Sequence, residues 1–324
     1  MKRRADWRFI FFALISVSPF LSGKPPKAAP EPTPVTAVWP SYTLKAETNW
    51  QLNLPHGERF DASGLWRSTN GSLLTVNDRH EGVYQIKFLP GTNAADIVLL
   101  PECFNTKQLA SFSTEKIERY DCEGLCEDSA GRMYVCEEAN RWILRLDPKS
   151  GKVDRLEIDW TPVEKYFHPT ERNASFEGIA IHNNILYVAN ERQDGRILVV
   201  DLTTSQVIDD FTVHPSQTRA KDIHYSDLCW FDGSLFAVLR ENHVVVRINP
   251  ETKAILAEYD YAEIERDPAV AYENDNPTAS LMEGLMVDEK NFWLCVDNNG
   301  RGRRKFPDDT RPTLFKCPRP DLGK

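Results

Sequence analysis

One short motif recurs five times along the chain, and its spacing restricts the possible folds more than any other feature. Asp61-Ala62-Ser63-Gly64-Leu65, Asp121-Cys122-Glu123-Gly124-Leu125, Ser175-Phe176-Glu177-Gly178-Ile179, Tyr225-Ser226-Asp227-Leu228-Cys229 and Leu281-Met282-Glu283-Gly284-Leu285 are variants of one pentapeptide. Their central residues lie 60, 54, 50 and 56 residues apart. Strand-rich repeats of about 40–50 residues, lengthened by loop insertions, are the sign of a β-propeller.

Each repeat has the same inner anatomy. After the motif come a short apolar strand and a turn such as Asn70-Gly71-Ser72 or Asp232-Gly233-Ser234. Second strands rich in aromatic and β-branched residues follow at 73–76, 133–136, 185–189, 235–239 and 292–296, and third strands at 83–88, 142–147, 196–201, 244–249 and 313–317. Apolar runs bounded by turn residues read as buried strands, and helical spacing is absent from them. Outer strands are visible in four repeats, at 97–100, 153–158, 207–213 and 255–259. The last repeat lacks one, and Trp50–Leu54 could supply it, pairing the two chain ends and removing exposed sheet edges. The expected fold is all-β, a five-bladed β-propeller. A six-bladed ring, with a degenerate blade in residues 89–120, is the alternative.

The first 21 residues do not belong to this core. Lys2, Arg3 and Arg4 precede an apolar run from Phe9 to Leu21 that is interrupted by Pro19. About a dozen apolar residues are too few for a stable span, so residues 1–23 read as a secretory signal or, failing cleavage, an N-terminal anchor. Residues 24–41 contain six prolines and read as an extended linker, with the propeller at 42–324. The expected location is outside the cytoplasm, periplasmic or extracellular, with membrane contact only through the N-terminal segment. The formal net charge is −9, and loss of residues 1–29 would leave −14. Such a surface repels phosphate backbones, which argues against a nucleic-acid partner and suits cations. Seven cysteines cannot all pair within one chain, and Cys122 and Cys126 lack the second ligand pair a zinc site needs, so buried thiols are the plain reading, with disulfide pairing open.

The chemistry lies in a set of acids at constant spacing. Asp78 and Glu138 follow Ser63 and Glu123 by 15 residues; Glu191, Glu241 and Asp297 follow Glu177, Asp227 and Glu283 by 14. In an antiparallel hairpin the start of the first strand and the end of the second share an edge. The first strand of a propeller blade lines the central channel, so Glu123, Glu177, Asp227 and Glu283 should converge on the axis, with Glu191 and Asp297 on the rim. Clustered carboxylates raise one another's pKa or demand a cation, and an oxygen-only set suits Ca²⁺. Against this stands the reading that the acids cap strands, accept backbone N–H bonds between blades, or pair with Arg192 and Arg240.

These motifs resemble the SdiA-regulated family, with Asn190-Glu191-Arg192 matching its recurrent Glu-Arg step. The resemblance spans roughly residues 60–300 and implies a bacterial five-bladed propeller behind an N-terminal membrane segment, with a Ca²⁺ site and no established reaction. The family is distantly similar to NHL-repeat propellers, and similar Glu-Gly motifs occur in propellers described as the esterase-like domain of phytases. The chain departs from the pattern at Cys229, where the family usually has glycine, and at Asp297-Asn298-Asn299, where it has a Glu-Pro-Asn step.

No G-x-S-x-G elbow, P-loop or H-E-x-x-H is present. His224 lies close enough to the fourth motif to reach the channel mouth, although a solvated loop histidine is the plainer reading. Arg301, Arg303 and Arg304 form a basic loop in the last repeat that could clamp an anion, or merely balance local charge. Two functions fit: a Ca²⁺-stabilised binding or scaffold module of the cell envelope, whose partner is a small molecule or an envelope protein, and a Ca²⁺-dependent phosphoesterase, esterase or lactonase-like hydrolase working at the channel mouth.

Overall fold

The computed structural model describes residues 39–110, 112, 120–171, 173–191, 195–217, 219–220, 222–276 and 279–322. Residues 1–23, expected to be a signal or anchor, residues 24–38 of the expected linker and Arg192 lie outside the described residues. Among the described residues, no helix is long and apolar enough to cross a membrane.

Strands β1 (Ser41–Thr43) and β2 (Thr48–Asn53) come first. The repeats then appear as antiparallel units: β3 (Ala62–Arg67), β4 (Leu73–Asn77), β5 (His80–Phe88) and β6 (Ala94–Leu100) form the first. The second holds β7 (Cys122–Glu127), β8 (Met133–Glu137), β9 (Trp142–Asp147) and β10 (Lys152–Arg155). The third holds β11 (Phe176–His182), β12 (Ile185–Asn190), β13 (Arg196–Asp201) and β14 (Gln206–Phe211), and the fourth β15 (Tyr225–Phe231), β16 (Ser234–Leu239), β17 (Val244–Ile248) and β18 (Ile255–Asp260). The last has three consecutive strands, β19 (Met282–Val287), β20 (Asn291–Val296) and β21 (Thr313–Pro318). Its missing outer strand is β2, which pairs antiparallel with β21 from Thr48↔Lys316 to Gln51↔Thr313. The same strand touches β6 in parallel at Gln51–Asn53, fusing the first and last units into one eight-stranded sheet, while β1 adds to β18. Between Leu89 and Tyr120 the described residues form only β6 and a single helical turn, α1 (Thr106–Leu109).

Innermost strands β3, β7, β11, β15 and β19 each pack against the next, and β19 packs back on β3. The chain is therefore a β-propeller: a closed ring of units, with apolar clusters between neighbouring sheets. Close approach at the centre is what the motif glycines permit. A Cβ on Gly124 would stand 2.8 Å from the Gly178 Cα, and one on Gly178 would stand 2.4 Å from the Asp227 Cα.

Every innermost strand carries an irregularity in its pairing with the second strand, and it falls at the motif. The register slips between Ala62 and Leu65, Cys122 and Leu125, Phe176 and Ile179, Tyr225 and Leu228, and Met282 and Gly284. Bulges re-aim a side chain and sharpen local twist, which is what turning a residue into the channel mouth requires.

These registers correct the sequence alignment of the fourth unit by one residue. Tyr225 pairs with Leu239 as Phe176 pairs with Asn190, and Leu228 corresponds to Ile179. Ser226, not Asp227, is thus the counterpart of Glu177, and Asp227 fills the glycine position. The rim shifts likewise. The backbone N–H groups of Asp78, Glu138, Glu191 and Asp297 donate to Asp61, Asp121, Ser175 and Leu281, and the equivalent bond in the fourth unit runs from Arg240 to His224. Arg240 rather than Glu241 therefore holds the rim position.

Candidate metal centre at the channel mouth

Seven carboxylates share one cavity of about 170 Å³ at the motif end of the ring: Asp61, Asp78, Glu123, Glu177, Glu191, Glu283 and Asp297. All but Asp78 are buried. The bulges bring Glu123, Glu177 and Glu283 inward from three innermost strands, and the ends of the second strands bring Asp78, Glu191 and Asp297. Within and beside this cavity, carboxylate oxygens of Asp61, Asp78 and Asp297 lie within 4.8 Å of one another, as do those of Asp78, Asp121 and Glu123, and those of Glu138, Glu177 and Glu191. Oxygens bonded to one Ca²⁺ at roughly 2.3–2.6 Å can be no further apart than about 5 Å, so these groups have the spread a single cation requires.

The electrostatics say the same. Burial pushes Glu123 and Glu177 well above the carboxylate range, and the charges of neighbouring acids push them further. Asp297 rises for the same reasons, with Asp61 and Asp78 as its nearest like charges. Burial raises Glu138 to about 8 even though the Ser175 N–H donates to it at 2.9 Å. The Glu283 Oε2 is buried with no hydrogen-bond partner. Carboxylates in that condition need protons or a cation.

Among the described residues, Arg240 supplies a built-in cation. Arg240 reaches into the mouth, where its guanidinium donates to Glu283 and, at 2.8 Å, to Glu191. These acids hold it well above its ordinary pKa, although burial works in the opposite sense. Ser63 Oγ donates to Glu123 Oε2 at 2.6 Å, and Asn299 donates twice to Asp297, at 2.7 Å and 2.8 Å. On the outer side Arg59 is paired with Asp61 at 2.5 Å.

Asp227 stands apart. Its carboxylate is fully buried and accepts from backbone N–H groups of Leu65 at 3.3 Å, Leu285 at 2.7 Å and its own neighbour Leu228 at 2.8 Å. It ties three innermost strands together behind the mouth. This is the N–H-accepting role the sequence offered as the alternative for such acids. Glu241, one residue past the rim position, faces His224 with its carboxylate 3.9 Å from Nδ1. Arg301 is engaged by Asn274 at 2.7 Å and Asp275 at 2.9 Å, and Arg303 by Asp309. Arg304 donates from Nε to the Tyr272 carbonyl at 3.0 Å. All seven cysteines are buried and unpaired.

Asp61 and Asp121 are the ligand candidates that sequence reasoning passed over. Both sit two residues before the central motif position, just ahead of β3 and β7, and Asp-x-Ser/Glu in the first two motifs was the available signal.

Residues 61–300 match the profile of the phytase-like family, described as "Esterase-like activity of phytase". The chain belongs to this family. No curated protein matches it at a significant level. Among solved structures, glutaminyl cyclase from Myxococcus xanthus is similar in fold, with a TM-score of 0.55 at 12% identity over 86% of this chain and 97% of that one. Virginiamycin B lyase from Staphylococcus aureus gives 0.44 at 13% identity, covering 85% and 99%. At these identities the likeness to glutaminyl cyclase speaks for the fold alone.

Proposed function

We propose that this phytase-like protein is an exported, five-bladed propeller that hydrolyses esters at a Ca²⁺ site in its channel mouth. The observation that carries the reading is the buried cavity in which seven carboxylates meet with space still open in front of them. Asp78, Glu123 and their neighbours would hold the ion there. When bound, Ca²⁺ would polarise a carbonyl or phosphoryl oxygen. Carboxylate oxygens of Glu138 and Glu177 lie within 4.8 Å of each other, and with the Glu138 pKa raised to about 8 this residue can hold and release a proton near neutral pH. Arg240, fixed between Glu191 and Glu283, offsets part of the negative charge of the mouth, so that an anionic group of the substrate would meet less repulsion there. The narrower likeness to the SdiA-regulated family supports calcium as the ion.

Arg240 also favours a second reading, a binding or scaffold module of the cell envelope. A guanidinium already neutralising two ring acids makes part of the mouth structural. The two are separated by offering chelator-stripped protein p-nitrophenyl acetate and p-nitrophenyl phosphate with and without Ca²⁺. Calcium-dependent turnover that disappears in Glu177→Gln is the expected result. A calcium-dependent rise in Tm with no turnover of either ester would leave the scaffold reading standing.

A further inference from the structure

A second cavity, of about 250 Å³, shares no lining residue with the first and has a different chemistry. Its walls come from α2 (Ala262–Arg266), residues 270–272, 274, 279 and 281, His243, and the last unit. Val270, Ala271, Tyr272, Val296 and Phe315 give it an apolar lining of buried side chains. Its volume is just below the roughly 300–1,000 Å³ common for small-molecule sites, so a single-ring ligand is the right size.

The polar groups are arranged asymmetrically. Among the described residues the one carboxylate in the lining, Glu265, already has three donors: His243 Nδ1 at 2.7 Å, Leu281 N–H at 2.8 Å and Ser280 Oγ at 3.0 Å. Its charge is thereby held away from an incoming anion. Arg266 and Arg304 also line the cavity, and neither makes an ion pair with a carboxylate of the described residues. Arg304 is anchored by its backbone N–H to Ala271 at 2.8 Å and by Nε to Tyr272 at 3.0 Å, which positions a guanidinium at the cavity without neutralising it. Arg301 and Arg303, its neighbours in the basic loop, are instead consumed by Asp275 and Asp309.

We infer that this cavity is a binding site for a small apolar-tailed carboxylate, with the ring or branched tail against Val296 and Phe315 and the carboxylate between Arg266 and Arg304. An apolar pocket with one saturated acid and two guanidiniums that have no carboxylate partner among the described residues selects a monoanion over a neutral or cationic ligand of the same shape.

The test is a calorimetric titration of the full chain in EDTA with phenylacetate and with its neutral isostere phenylacetamide. Phenylacetate should bind about tenfold more tightly than the amide, since only the carboxylate brings a negative charge and two acceptor oxygens to the guanidiniums. Arg304→Gln and Arg266→Gln, both at exposed positions, should each weaken phenylacetate about fivefold and the amide by less than about twofold, with Tm unaffected. Equal affinity for the two compounds, no saturable binding of phenylacetate, or wild-type affinity in both arginine variants would overturn the assignment.

Discussion

Replacing Asp227 by alanine tests how the ring is held closed. The side chain has no solvent exposure, and its two oxygens take N–H bonds from Leu65 in β3, Leu285 in β19 and Leu228 in its own strand. Alanine at this position leaves three buried donors without an acceptor. Each unsatisfied buried group costs about 1–3 kcal/mol, and the long bond from Leu65 belongs at the low end, so the sum is roughly 3–6 kcal/mol. A folded domain is stable by only about 5–15 kcal/mol, so this is a large share of the total. At about 2 °C per kcal/mol for a large domain, Tm should fall by roughly 6–12 °C. Urea unfolding followed by tryptophan fluorescence gives the free energy directly, and Asp227→Asn, which keeps an acceptor, should lose less. A loss below about 1 kcal/mol in the alanine variant would refute the reasoning, because it would mean that the three N–H groups are satisfied without the carboxylate.

Further outcomes follow from the mouth. Arg240→Met strips Glu191 and Glu283 of their buried counter-charge and should cost about 3–5 kcal/mol in EDTA, with partial recovery in Ca²⁺; urea titrations in the two buffers measure both effects. Glu138, raised from an ordinary 4.5 to about 8, gives the metal-free protein a pH dependence of known sign. A buried acid with a raised pKa favours the folded state at low pH, so stability should decline as pH rises from about 4.5 through 8. Melting curves across that range should show the decline in EDTA, flattened in Glu138→Gln and in calcium; an EDTA profile that rises instead would contradict the assignment.

Most of the fold was legible because strand alternation and turn chemistry repeat with the motif. The second and third strands lie where the sequence put them, and Trp50 does sit in the strand that completes the last unit. What escaped was register. Tyr225-Ser226-Asp227-Leu228 places an acid one residue later than the other motifs, and only strand pairing distinguishes an acid at the axial position from one at the glycine position. The same slip hid Arg240, which stands in line with four rim acids. A side chain that points into the mouth and one that points at the backbone behind it are adjacent residues, and an uncounted bulge exchanges them. The basic loop was also misleading as a unit, since Arg301 and Arg303 find acids brought near only by the fold.

Titration of Ca²⁺ into chelator-stripped protein by calorimetry examines the centre of this account. Saturable binding should be seen in the wild type, be lost or weakened at least about tenfold in Glu177→Gln, and persist in Glu241→Gln, whose carboxylate lies off the ring. Absence of calcium binding in the wild type, or equal binding in the two variants, would show that the converging carboxylates hold protons and Arg240 alone.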